Sequence, residues 1–206
     1  MAQDADRELM RACCVANDGA LGRACRAVAA GADVGQLQAG HTPLYMAATL
    51  NSVRTCEMLI KKGAAVDQRT EDGAVALHAT CLSNRLEVAQ LLVARGADIA
   101  AAANDGSTPL HLACKAGNTE LADLLLSVGA DPSCAMGNGS TPLLLACSFG
   151  HLVRSLSLWY QLLLSQILLS RTQLRVLSSS TLLWPGSCLI SDTMPFRLTL
   201  STLFFC

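Results

Sequence analysis

The chain has 206 residues, of which 51% are hydrophobic, 15% charged and only 4% aromatic. That excludes an ordinary disordered chain, which is apolar-poor and charge-rich, and the length suits one domain better than two. A formal net charge of −1 gives no bulk electrostatic case for binding nucleic acid, while a mean hydropathy of +0.38 is high for a soluble protein and needs a source.

In chain order, the N-terminus comes first. It is acidic and polar, and it lacks the basic start and apolar run of a secretory signal. Ten cysteines include no CxxC pair and no cluster with His at zinc spacing. A reducing compartment, cytoplasmic or nuclear, is therefore expected, with the thiols acting mostly as buried small residues.

Next comes a repeat. Residues 5–38 contain Gly19-Ala20-Leu21 and Gly31-Ala32-Asp33. Residues 39–71 run from His41-Thr42-Pro43-Leu44 to Gly63-Ala64-Ala65, and residues 72–104 from Ala74-Val75-Ala76-Leu77-His78 to Gly96-Ala97-Asp98. Residues 105–137 run from Ser107-Thr108-Pro109-Leu110-His111 to Gly129-Ala130-Asp131, and a partial unit, residues 138–152, opens with Ser140-Thr141-Pro142-Leu143. Thr42, Val75, Thr108 and Thr141 are 33 residues apart, and the closing glycines step by 32, 33 and 33. A third ladder is Gly19, Asn51, Asn84, Gly117 and Gly150.

Each unit reads as helix–turn–helix. Thr directly before Pro predicts an N-cap hydroxyl and a first helical residue. Gly and Asn on the third ladder suit the left-handed backbone at which the first helix stops. Second helices are expected over Val53–Lys61, Leu86–Ala94 and Thr119–Ser127, each with an apolar face and each closed by the glycine of the Gly-Ala-Asp ladder. Val75 has no hydroxyl, so the third unit should lose on the order of 1 kcal/mol of capping.

A 33-residue period carrying T-P-L-H-x-A, complete at Thr108-Pro109-Leu110-His111-Leu112-Ala113, with an interhelix Gly and a closing Gly-Ala-Asp, resembles the ankyrin repeat over residues 5–152. The resemblance implies an all-α solenoid of stacked helix-turn-helix units with short β-turn or hairpin fingers. It also implies a non-catalytic module or scaffold for protein binding, and that His78 and His111 tie neighbouring loops together.

No catalytic triad order, nucleotide-binding glycine loop or paired-acid motif appears, so no enzyme, cofactor or metal is expected. Cys81, Cys114 and Cys147 repeat every 33 residues. Stacked helices lie roughly 8–10 Å apart, beyond the Cα separation of about 7 Å that a disulfide tolerates, so these thiols are expected as core residues. Cys13 and Cys14 are adjacent in the first helix and should face different sides.

In the family, partners are held by the turn tips and by the exposed side of the first helix. By resemblance the tips are Gln38, Ala39 and His41; Glu71, Asp72 and Ala74; Asn104, Asp105 and Ser107; Gly137, Asn138 and Ser140. The helix positions are Thr49 and Leu50; Leu82 and Ser83; Lys115 and Ala116; Ser148 and Phe149. Leu50, Leu82 and Phe149 are apolar where solvent is expected. Apolar anchors beside an acidic rim suit a protein-binding groove. Glu71, Asp72 and Asp105 favour a neutral or basic protein partner and oppose nucleic acid. A monomer is expected.

The last quarter is a different material. Residues 1–152 hold 11 Lys and Arg against 15 Asp and Glu, whereas residues 153–206 hold four Arg against one acid, Asp192. Six of the eight aromatics lie there: Trp159, Tyr160, Trp184, Phe196, Phe204 and Phe205. This Leu/Ser-rich tail breaks the repeat at Arg154 and supplies the surplus hydropathy. Residues 155–170 carry no charge, but a helix of 16 residues would span about 24 Å, short of the roughly 30 Å bilayer core. A membrane anchor is therefore the weaker reading. Residues 154–170 instead suit an improvised helix capping the open end of the solenoid, because a terminal repeat needs a cap. Two further readings stand beside it: a spurious continuation from read-through or a gene-model error, and a fragment of a longer protein with a signalling or enzymatic domain beyond the break.

Overall fold

A computed structural model of the chain describes residues 2–15 and 18–151, all within one unit, Met1–Trp159. The proposed cap over residues 154–170 lies outside the described residues, as does the apolar stretch 155–170. Among the described residues there are nine helices and no named strand. They are α1 (Ala2–Cys13), α2 (Asp18–Ala29), α3 (Pro43–Thr49), α4 (Val53–Lys61), α5 (Ala76–Ser83), α6 (Leu86–Ala94), α7 (Pro109–Ala116), α8 (Thr119–Ser127) and α9 (Pro142–Ser148).

The second helices begin and end where the sequence places them. Each is closed by a pair of hydrogen bonds that consume its orphan carbonyls. At the end of α4, Gly63 N–H donates to the Ile60 carbonyl and Ala64 N–H to that of Leu59, both at 3.0 Å. Ala97 and Ala130 repeat the longer bond to Leu92 and Leu125. This is the Schellman arrangement, and it requires the intervening residue to be left-handed. The first helices stop the same way around Asn51 (φ 58°), Asn84 (φ 56°), Gly117 and Gly150. Gly19 departs from that ladder. It lies in the first turn of α2 rather than at a helix end, so the interhelix ladder does not extend into the first unit.

Thr42, Thr108 and Thr141 sit in extended backbone before α3, α7 and α9, with Pro at the first helical position. The Thr42 and Thr141 hydroxyls accept from the N–H of Tyr45 (3.0 Å) and Leu144 (3.3 Å). Before α5, Val75 offers no hydroxyl, yet its own N–H is not orphaned: it donates to His78 Nδ1 at 3.1 Å. The capping deficit is confined to the missing side-chain acceptor.

The first helices stack in one row, α1, α3, α5, α7, α9, and the second helices in another, α2, α4, α6, α8. Between the rows lies a continuous core. Leu44, Leu77 and Leu110 of the first helices and Leu59, Leu92 and Leu125 of the second are almost fully buried. Each buried Leu contributes on the order of 1.5–3 kcal/mol. Because neighbouring units share these residues, stability accrues from unit to unit. The cysteines between the rows are free. Burial pushes Cys81 and Cys114 up to about 12, so they sit as protonated thiols. Cys13 ends α1 and is buried, whereas Cys14 lies in the turn just past the helix, not within it, and is exposed.

Candidate interaction surface

Turns between units form four fingers. Three close in the same way: Thr70 N–H donates to Ala74 O, Ala103 to Ser107 and Met136 to Ser140, at 2.8–2.9 Å. The first finger is shorter, with Gln38 and His41 exchanging both backbone hydrogen bonds around Ala39 and Gly40. That missing residue accounts for the 32-residue step in the glycine ladder. Successive tips are also joined to each other. Glu71 N–H donates to Gly40 O and Asn104 N–H to Asp72 O, both at 3.0 Å, and Asn104 Nδ2 donates to Glu71 O at 2.9 Å. The tips therefore form one linked edge.

His78 and His111 fix that edge to the helices. The Val75 N–H donates to His78 Nδ1, so Nε2 carries the proton and donates to the Ser107 carbonyl of the next finger at 3.0 Å. His111 does the same between Thr108 N–H and the Ser140 carbonyl, at 3.2 and 3.1 Å. Both rings are buried, and burial holds both below the ordinary histidine pKa. They are neutral spacers between loops, as expected from the repeat.

The tip residues Glu71, Asp72, Asn104, Asp105 and Asn138 are exposed, and Gln38, His41 and Ser140 partly so. Ser107 departs from its expected place at the exposed tip. It is 4% exposed, and its hydroxyl and N–H both donate to Asp105 Oδ1, at 2.6 and 2.8 Å. Those donors hold the Asp105 carboxyl below the usual carboxylate range. On the helices, Leu82 and Phe149 are about half exposed, at 53% and 51%, and Lys115 is exposed. Lys115 Nζ lies 5.6 Å from the centroid of the Phe149 ring, a cation–π contact between α7 and the residue that ends α9. Leu50, Thr49 and Ser83 are partly buried.

Tyr45 and Leu112, absent from the sequence-based surface, belong to it. A depression of about 330 Å³ lies between the second and third fingers, lined by the apolar Tyr45, Ala74 and Leu112 and the polar Asp72, Asn104 and Asp105. Tyr45 occupies the place that His78 and His111 hold in their units, but its ring is half-buried and stacks on His41, with centroids 5.2 Å apart and planes 7° from parallel. Among the described residues no group of three or more His, Cys, Asp or Glu could hold a metal ion, and no helix is long and apolar enough to cross a membrane.

Comparison with known proteins agrees with this geometry. The family model for ankyrin repeats in three copies matches residues 9–103 and 96–157. A search of curated proteins finds no match.

Proposed function

The chain belongs to the ankyrin-repeat family, whose members generally serve as protein–protein interaction modules, and on that premise we propose that it is a non-catalytic module that holds a protein partner against its fingers and the exposed side of its first helices. The observation that carries this reading is the pairing of half-exposed Leu82 and Phe149 with a tip edge bearing the acids Glu71, Asp72 and Asp105. Apolar anchors that can be fully desolvated supply most of an interface's energy, and the charged rim selects among partners. An acidic rim selects a neutral or basic one. The module is read as a monomer of a reducing compartment, cytoplasm or nucleus, a setting that the free, buried thiols of Cys13, Cys56, Cys81 and Cys114 suit.

The test is quantitative co-purification with the wild-type chain and with Leu82→Ser/Phe149→Ser. Both side chains are about half exposed, so helical content by circular dichroism should stay the same. Leu50 is left intact because it is partly buried. Proteins retained by the wild type should be lost from the variant. An unchanged set of retained proteins at unchanged helicity would contradict the proposal.

A further inference from the structure

The depression between the second and third fingers has the makings of a side-chain pocket. Its apolar side is the Tyr45 ring with Ala74 and Leu112, and its rim is Asp72, Asn104 and Asp105. It is built from three successive units, so it exists only in the assembled solenoid.

Among the described residues neither Asp72 nor Asp105 forms an ion pair. The nearby cation, Arg69, is engaged elsewhere: its Nη1 donates to the carbonyls of Gly73 (3.1 Å) and Ala102 (2.6 Å). His78, which also lines the depression, is held neutral between Val75 and Ser107. Two carboxylates thus line an apolar, partly aromatic hollow without an ion-pair partner. Asp105 stays ionised because Ser107 donates two hydrogen bonds to it, and burial of Tyr45, with Asp72 second, opposes ionisation of its phenol. The phenol therefore stays neutral, and its electron-rich face attracts a cation.

We propose that this pocket receives one basic side chain, arginine or lysine, of the partner polypeptide. The aliphatic stem lies along Tyr45, Ala74 and Leu112, and the charged head lies between Asp72 and Asp105. A long basic side chain matches both halves of the site, since its methylenes bury apolar surface while its head keeps polar partners. A neutral side chain would leave two carboxylates partly desolvated and unpaired, which disfavours such partners. This specificity rests on the proposed interaction role of the surrounding face.

The full chain is used to select binders from a random twelve-residue peptide library displayed on phage, and synthetic copies of the enriched peptides are titrated by fluorescence anisotropy. The expected result is an enriched set sharing one fixed Arg or Lys. Asp72→Asn with Asp105→Asn should weaken these peptides by about tenfold or more. A peptide carrying norleucine in place of its fixed basic residue should bind wild type and variant alike, and added salt should weaken only the parent peptide. The double variant should fold, because Asn138 already occupies the place of Asp105 in the next finger and accepts from Ser140 N–H at 2.9 Å. An empty selection, peptides without a fixed basic residue, or affinities indifferent to the double substitution would overturn the proposal. Peptides that ignore the aspartates but lose affinity with Leu82→Ser/Phe149→Ser would overturn the pocket and leave the interaction surface standing. Indifference to all four substitutions would remove both.

Discussion

His78 shows how a single residue couples folding to solution conditions. Its ring is 1% exposed and bonded on both nitrogens as a neutral imidazole. Protonation would turn Nδ1 from acceptor into donor and set it against the Val75 N–H. Burial lowers the folded-state pKa beneath the ordinary 6.5, and His111 behaves alike. Below about pH 6.5 the unfolded chain therefore binds protons that the folded chain refuses, and stability falls as pH falls. The aspartates with lowered pKa, Asp105 and Asp131, add their own loss only at lower pH. Thermal melts should accordingly show the melting temperature dropping between pH 7.5 and pH 5. His78→Gln should melt lower at pH 7.5 but lose less on acidification; equal slopes for the two proteins would refute the assignment.

Gly106 is a second residue whose identity is dictated by its surroundings. Its φ is +83°, and a Cβ there would stand 2.8 Å from the Gly137 backbone nitrogen of the next finger. Gly96 has a similar φ of +82° but open space around it. Gly96→Ala should cost about 1 kcal/mol from backbone strain alone. Gly106→Ala should cost about 1 kcal/mol more, because the tip edge must also part. Urea denaturation midpoints of the two variants compare them directly.

At the scale of the element, α5 is the helix whose start the repeat supports least. Its neighbours begin Thr-Pro, and it begins Val75-Ala76. Restoring Val75→Thr with Ala76→Pro adds a hydroxyl acceptor and fixes φ where Pro43, Pro109 and Pro142 already sit in buried equivalents. A gain of about 1 kcal/mol in unfolding free energy is expected. A loss would mean that the Val75 methyls, 1% exposed, matter more than the cap.

The bounds of α4, α6 and α8 were legible because caps and Schellman glycines are chemical punctuation, repeated every 33 residues. The first unit was less so: α1 starts at Ala2, earlier than a unit beginning at residue 5, and Gly19 is helical, since neither is tied to the period. On the surface, periodicity located the tips but not the direction of each side chain. Ser107 turns inward because Asp105, two residues before it, captures its hydroxyl, a signal present in the sequence as an Asx-type turn. Tyr45 was masked by the repeat itself. Its alignment with two structural histidines marked the position as internal, whereas a phenol cannot make their two-ended link and remains at the surface.

At the scale of the whole molecule, the sum of −1 averages an acidic repeat region and a basic tail. Within the repeat, Ala, Leu and Cys fill the space between two rows of short helices. The stacked units leave one side, fingers and first helices, whose residues vary in chemistry from unit to unit: Leu82, Lys115 and Ser148 occupy one register, and Ser83, Ala116 and Phe149 the next. The second helices face away from that side. Binding should therefore register on one row of helices only. The most direct measurement is hydrogen–deuterium exchange of the full chain with and without a peptide selected for affinity to it. The account predicts added protection in residues 70–74 and 103–107 and along α5, α7 and α9, with α4, α6 and α8 unchanged. Protection concentrated on α4, α6 and α8 would contradict it.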